Sequence, residues 1–191
     1  MIRTKEQESA PMLGFWLYLM TDLMLFATVF ATFMVLRHAT AGGPSAPELF
    51  SMKTVLTETM ILLASSLFCG LAWLAFRHKK RTDFLMYSIA TLLAGAVFLA
   101  IEIQEFAQLV HEGFGPSTSA FLSSFFTLVG MHGFHIAIGL LWGIALLIMF
   151  AKKGFGSSLA RKFALFAVFW HFLDIVWIFI FTIVYVIGVH A

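Results

Sequence analysis

WHFLDIVWIFIFTIVYVIG, residues 170–188, decides the fold. Sixteen of its nineteen residues are apolar or Gly, and the other three are His171, Asp174 and Thr182. As an α-helix the stretch is about 28 Å long at 1.5 Å per residue. That nearly matches the roughly 30 Å of hydrocarbon in a bilayer. A strand of this composition would leave its edges unsatisfied in lipid, so a membrane helix is the consistent reading. An imidazole and a carboxylate three residues apart in such a helix then need an explanation.

The rest of the chain extends this reading. Of 191 residues, 61% are hydrophobic and 12% charged, with a mean hydropathy of +0.95. A soluble domain carries about 25% charge, and a soluble fold of this length could not hide so much apolar surface. The sequence predicts an integral membrane protein. The single cysteine, Cys69, excludes an internal disulfide framework and sits in an apolar run, where packing is its expected role. The opening residues MIRTKEQESAPM mix both charge signs. The apolar run after them, about 24 residues, exceeds a signal-peptide core of about 7–15, so a retained first membrane helix is expected. Residue 2 is Ile and the C-terminus carries no Cys, so no lipidation motif is visible.

The expected architecture is all-α: a cytoplasmic tail over 1–12 and a five-helix transmembrane domain over 13–189. The spans fall at about 13–36, 55–76, 84–110, 120–150 and 163–189. They are separated by AGGPSAP (41–47), RHKKRTD (77–83), HEGFGPSTS (111–119) and KKGFGSS (152–158). The fourth span is long enough to require tilt or protrusion. Ten of the twelve Lys and Arg residues fall in the tail, the second loop and the fourth loop, and only Arg37 and Lys53 lie on the other side. This places the N-terminus in the cytoplasm and the C-terminus outside. The basic loops are read as topology determinants that touch anionic lipid, not as nucleic-acid contacts.

Eight ionisable residues fall inside the spans: Asp22, Glu58, Glu102, Glu105, His132, His135, His171 and Asp174. A central carboxylate costs about 2.5–3.5 kcal/mol on insertion scales, so these groups are expected to turn inward and pair. Glu102/Glu105, His132/His135 and His171/Asp174 are each spaced i,i+3 and share a helix face. Three readings stay open. The carboxylates and imidazoles could build a metal site, although di-metal bundles pair Glu with His on one helix and here the two types are segregated. The histidines could be axial haem ligands. The default is interhelical hydrogen bonding, with a proton pathway through Asp22 or Asp174 as its sharper variant. Trp16, Trp170, Trp177 and Arg77 are candidates for contact with lipid or another subunit, with packing the default for the Trp170–Trp177 stripe. Gly139/Gly143 and Ala27/Ala31 are small-xxx-small pairs that permit close helix contact.

Together the blocks FWLYLMTDLMLFATVFATFMVL, TAGGP, ETMILLASSLFCGLA, EIQEF, FFTLVGMHGFHIAIGLLW and WHFLDIVWIFIFTIVYVIG resemble subunit III of haem-copper respiratory oxidases. The resemblance covers residues 13–189. The five-helix length and the TAGGP loop resemble the cytochrome bo-type, ubiquinol-oxidising branch, whereas cytochrome c-oxidising forms often have seven helices. The resemblance implies a subunit with no catalytic residue and no haem, copper, quinone or other metal site of its own. It implies a haem- and copper-bearing subunit I as partner, bound phospholipid, and a role in stability and proton uptake in the bacterial inner membrane. It implies that the family's buried carboxylate maps onto Asp22, the Glu of EIQEF onto Glu105, and the family histidines onto His132, His135 and His171. Another haem-copper complex, such as a cytochrome c oxidase or a nitric oxide reductase, is the related alternative. An independent transporter or a metal-binding membrane protein is the alternative of another class.

Overall fold

The computed structural model describes residues 5–41 and 52–187, with side chains from residue 12 onward. Most of the predicted AGGPSAP link and the final residues of the fifth predicted span lie outside the described residues. Five long helices run in alternating directions: α1 (Lys5–Leu36), α2 (Met52–Arg77), α3 (Arg81–His111), α4 (Ala120–Lys153) and α5 (Ser157–Ile180). A six-residue π-helical stretch, Phe181–Val186, continues α5. Among the described residues there is no strand. All five helices are long and apolar enough to cross a membrane, which makes this a multi-pass membrane protein.

The helices outrun the predicted spans because charge ends a favourable stay in lipid but does not end a helix. Arg161 and Lys162 lie inside α5, which starts at Ser157. The RHKKRTD segment contracts to a tight turn at His78–Lys80. Here Lys79 takes a left-handed φ of 56°, and Lys80 N–H donates to the Ala75 carbonyl at 3.0 Å. At the end of α4, Gly154 adopts φ 65°, a conformation that glycine enters without a Cβ penalty. Its N–H closes on the Phe150 carbonyl at 2.8 Å.

Packing is sequential from α2 onward, with two further contacts. α2 lies against α3, α3 against α4, and α4 against α5, while α2 also reaches α5. α1 rests chiefly on α4. Its buried side chains Leu19, Asp22, Phe26 and Phe33 form one narrow stripe. Ala27 and Ala31 lie off that stripe, and both are exposed. Gly139 and Gly143 do serve close packing. A Cβ at Gly139 would stand 2.8 Å from the Trp170 ring, and one at Gly143 would stand 2.5 Å from Leu92.

The end of the bundle where the basic turns lie, called the basic end here, is closed by aromatic rings. Phe76, Phe84, Phe150, Phe155 and Phe163 meet there, with centroids 4.6 Å apart for Phe84–Phe150 and 5.1 Å for Phe76–Phe155. Trp73 stacks on Phe76 and Phe163. At the opposite end, Phe121 N–H of α4 donates to the Ala39 carbonyl just past α1 at 3.2 Å, tying the first link to the fourth helix.

Candidate functional site

The polar residues inside the spans fall into three groups. The first joins α1 to α4. Asp22 Oδ2 lies 3.6 Å from His135 Nε2, and both side chains are nearly buried. His135 Nδ1 lies 2.7 Å from the Met131 carbonyl. A carbonyl only accepts, so Nδ1 carries a proton and Nε2 is the atom that faces the carboxyl. The Asp22–His135 contact is thus directional, and a phenyl ring guards it: Phe26 sits 5.2 Å from the imidazole.

The second group joins α2 to α5 in an antiparallel ladder. Trp177 Nε1–H donates to Thr59 Oγ1 at 3.1 Å, and Trp170 Nε1–H donates to Ser65 Oγ at 2.9 Å. Ser65 Oγ–H in turn donates to the Thr91 carbonyl of α3 at 3.2 Å. Beside them Ser66 Oγ lies 2.7 Å from His171 Nδ1, and Asp174 Oδ2 lies 3.7 Å from that same nitrogen. The two tryptophans are therefore packed inside this chain, the packing role that the sequence offered as their default. Trp170 is 0% and Trp177 1% exposed, both within this chain's own core. The indole N–H groups explain the direction: in a membrane helix each needs an acceptor, and α2 supplies a hydroxyl at the matching height. Trp16 and Arg77, by contrast, are exposed. The imidazole of His171 is 42% exposed, an unusual state for a ring at this depth.

The third group lies between α2, α3 and α4 in the half away from the basic end. Glu58 and Glu102 are buried, Glu105 is half-buried, and the three carboxyls are close enough to interact electrostatically. Tyr185, carried inward by the π-helical stretch, belongs to the same electrostatic group. Glu102 lies flat against Gly133 of α4, where a Cβ would come within 2.8 Å of Oε1. His132 is fully buried, with its ring centroid 5.3 Å from that of Trp177 and 5.8 Å from that of Phe98. Among the described residues, neither nitrogen of His132, neither oxygen of Glu102 and neither oxygen of Asp174 has a hydrogen-bond partner. Asp22 with His135 and Asp174 with His171 thus approach only at ion-pair distance, 3.6 and 3.7 Å, while Glu102 and His132 face no such partner among the described residues.

This geometry bears on chemistry. His135 Nδ1 is held by the Met131 carbonyl and its Nε2 faces Asp22 at 3.6 Å, and His132 is flanked by the Phe98 and Trp177 rings. Among the described residues no three His, Cys, Asp or Glu side chains come together as a group that could hold a metal. The sequence did not single out Thr59, Ser65, Ser66 or Gly133. The hydroxyl residues of α2 are separated by intervals close to the Trp170–Trp177 spacing, and that match is the signal that could have found them.

A bundle of five long apolar helices, with most of its acids and imidazoles buried and aromatic closure at one end, defines a polytopic integral membrane protein. The comparisons make the class particular. The sequence matches the family described as cytochrome c oxidase subunit III over residues 4–189, and the chain belongs to that family. It is 53% identical over 175 residues to cytochrome bo(3) ubiquinol oxidase subunit 3 of Pseudomonas aeruginosa, covering 92% of this chain and 84% of the relative. It is 51% identical over 180 residues to cytochrome c oxidase subunit 3 of Bacillus sp. (strain PS3), covering 92% and 85%. It is 47% identical over 176 residues to quinol oxidase subunit 3 of Bacillus subtilis, covering 92% and 86%.

Proposed function

We propose that this chain is the non-catalytic subunit III of a proton-pumping haem-copper oxidase that takes electrons from a quinol. The observation that carries the reading is the 53% identity, along nearly the whole chain, to a ubiquinol oxidase subunit 3. In this reading the haems and copper reside in a partner subunit I, and subunit III packs against that chain in the bacterial inner membrane. The Lys and Arg distribution supports a cytoplasmic basic end. Phospholipid fills the surfaces the partner leaves, and the inward carboxyls support proton uptake and stability. A second reading, subunit III of a cytochrome c oxidase, is favoured by the relative of that name at 51% identity.

The half-exposed His171 gives the interface reading a local test. An imidazole open to hydrocarbon is unfavourable, and a neighbouring subunit would cover it. His171→Ala should weaken retention of this chain in the complex while leaving the haem absorption of subunit I intact. Loss of a haem band in that variant would overturn the non-catalytic assignment. For the complex as a whole, purification through a tag on this chain in mild detergent should bring down a haem-bearing partner that oxidises a short-chain quinol. A preparation that oxidises reduced cytochrome c and ignores quinol would select the second reading.

A further inference from the structure

A groove of about 280 Å³ lies between α3 and α4, lined by Leu99, Ile103, Phe106 and Phe134, with Glu102 and Gly133 completing it. Ile103 and Phe134 are exposed, so the groove opens toward the membrane. Its ionisable lining group is Glu102, which is only 4% exposed. Both carboxyl oxygens of Glu102 lack a hydrogen-bond partner among the described residues. The position is enforced by α4: a Cβ at Gly133 would lie 2.8 and 3.0 Å from the two oxygens, in the space the carboxyl occupies. One turn away Phe106 lies over Gly130 in the same register, 3.3 Å from where a Cβ would stand. A carboxyl wedged between glycine backbone and an apolar groove is a built acceptor without a donor.

Depth selects the donor. Glu102 precedes the α3 end at His111 by about 13 Å at 1.5 Å per residue, against a half-thickness of hydrocarbon of about 15 Å. A phosphate or ammonium headgroup would have to leave water entirely to reach it, which is the costliest transfer available. A hydroxyl on a neutral molecule reaches it at far lower desolvation cost. The groove has one carboxyl, so it satisfies one hydroxyl and leaves a second polar end of a ring compound unmet. An apolar cavity of about 150 Å³ already accepts a benzene ring, so this volume takes a longer aliphatic segment. We propose that Glu102 and the α3–α4 groove bind a neutral single-hydroxyl amphiphile, a long-chain alcohol or diacylglycerol, whose hydroxyl donates to the carboxyl.

The test uses the intact complex containing this chain in phosphatidylcholine nanodiscs, with a diazirine-bearing hexadecanol as probe and its methyl ether as the donor-free control. Mass spectrometry should place the alcohol's cross-links at Ile103 and Phe134, about tenfold above the ether, the factor that one buried hydrogen bond supplies. Glu102→Leu should reduce the alcohol to the ether's level, and Glu102→Gln, which keeps a carbonyl acceptor, should retain part of the excess. Phe134→Trp, at an exposed position in the groove lining, should cut labelling by both probes. If Glu102→Leu does not assemble, the alcohol-to-ether ratio on the native chain and the Phe134→Trp result decide the matter. Equal labelling by alcohol and ether, labelling unchanged by Glu102→Leu, absence of α3–α4 labelling in the complex, or stronger competition by a short-chain quinol than by unlabelled hexadecanol would each overturn the proposal. The proposal does not depend on the electron donor. A complex that oxidises cytochrome c rather than quinol would leave the labelling result standing.

Discussion

The two halves of this bundle solve different problems. At the basic end, Phe76, Phe84, Phe150, Phe155 and Phe163 close on one another, and short turns join α2 to α3 and α4 to α5. Every ring there has ring partners from the same chain. In the other half, Glu58, Glu102 and His132 are just as buried, yet several of their polar atoms have no partner among the described residues. The first half is packed for its own sake. The second carries groups that an apolar side chain of equal volume would replace at lower desolvation cost, which marks it as the half shaped by something beyond folding.

The comparison can be broken by experiment. The largest effect is expected at the aromatic end. Phe76→Ala removes a ring that touches five others and should cost about 3–5 kcal/mol, the range for truncating a buried Phe. Thermal denaturation of the detergent-solubilised protein checks this, and a loss below about 1 kcal/mol would deny that this end is a packed core. Gly139→Ala comes next. Its Cβ would meet the Trp170 ring at 2.8 Å, and the strain should cost about 1–3 kcal/mol, visible as a lowered melting temperature. Asp22→Ala leaves His135 Nε2 without its carboxyl. It should cost about 1–3 kcal/mol and, because α1 rests chiefly on α4, should raise hydrogen exchange in α1 selectively. Uniform exchange across all helices would refute the tether. Trp177→Phe keeps a ring but deletes the N–H···Oγ1 bond to Thr59, for about 1 kcal/mol. Smallest is Lys80→Ala, which removes the exposed 3.6 Å pair with Asp83 and should shift stability by less than about 0.5 kcal/mol.

Much of the architecture was legible in the sequence, because lipid imposes a length and forbids open strands. Five apolar runs separated by Gly, Pro and basic clusters could hardly be anything else. Inward and outward faces were harder to read. In water a helix declares its buried side by its apolar stripe. In a bilayer, apolar residues suit both the core and the lipid, so Ala27 and Gly139 look alike on paper while one is exposed and the other is pressed on Trp170. The ionisable residues were conspicuous, but their partners were not. Asp22 faces an imidazole on α4, far along the chain, and His171 meets Ser66 of α2 rather than relying on Asp174 alone. Serine and threonine are unremarked in any membrane helix until a tryptophan is found at the same height. The extra turns of α1 and α5 were hidden for a simpler reason: hydropathy measures where a helix leaves the membrane, not where its hydrogen bonds stop.

The tether between Asp22 and His135 has a consequence in time. Roughly a hundred residues of chain separate the two, and synthesis at about 5–20 residues per second delivers the imidazole some 5–20 s after the carboxyl. Through that interval the first helix carries an acid whose mate has not been made, and α4, the helix it leans on, is still incomplete. Assembly of this subunit is a matter of waiting as much as of packing.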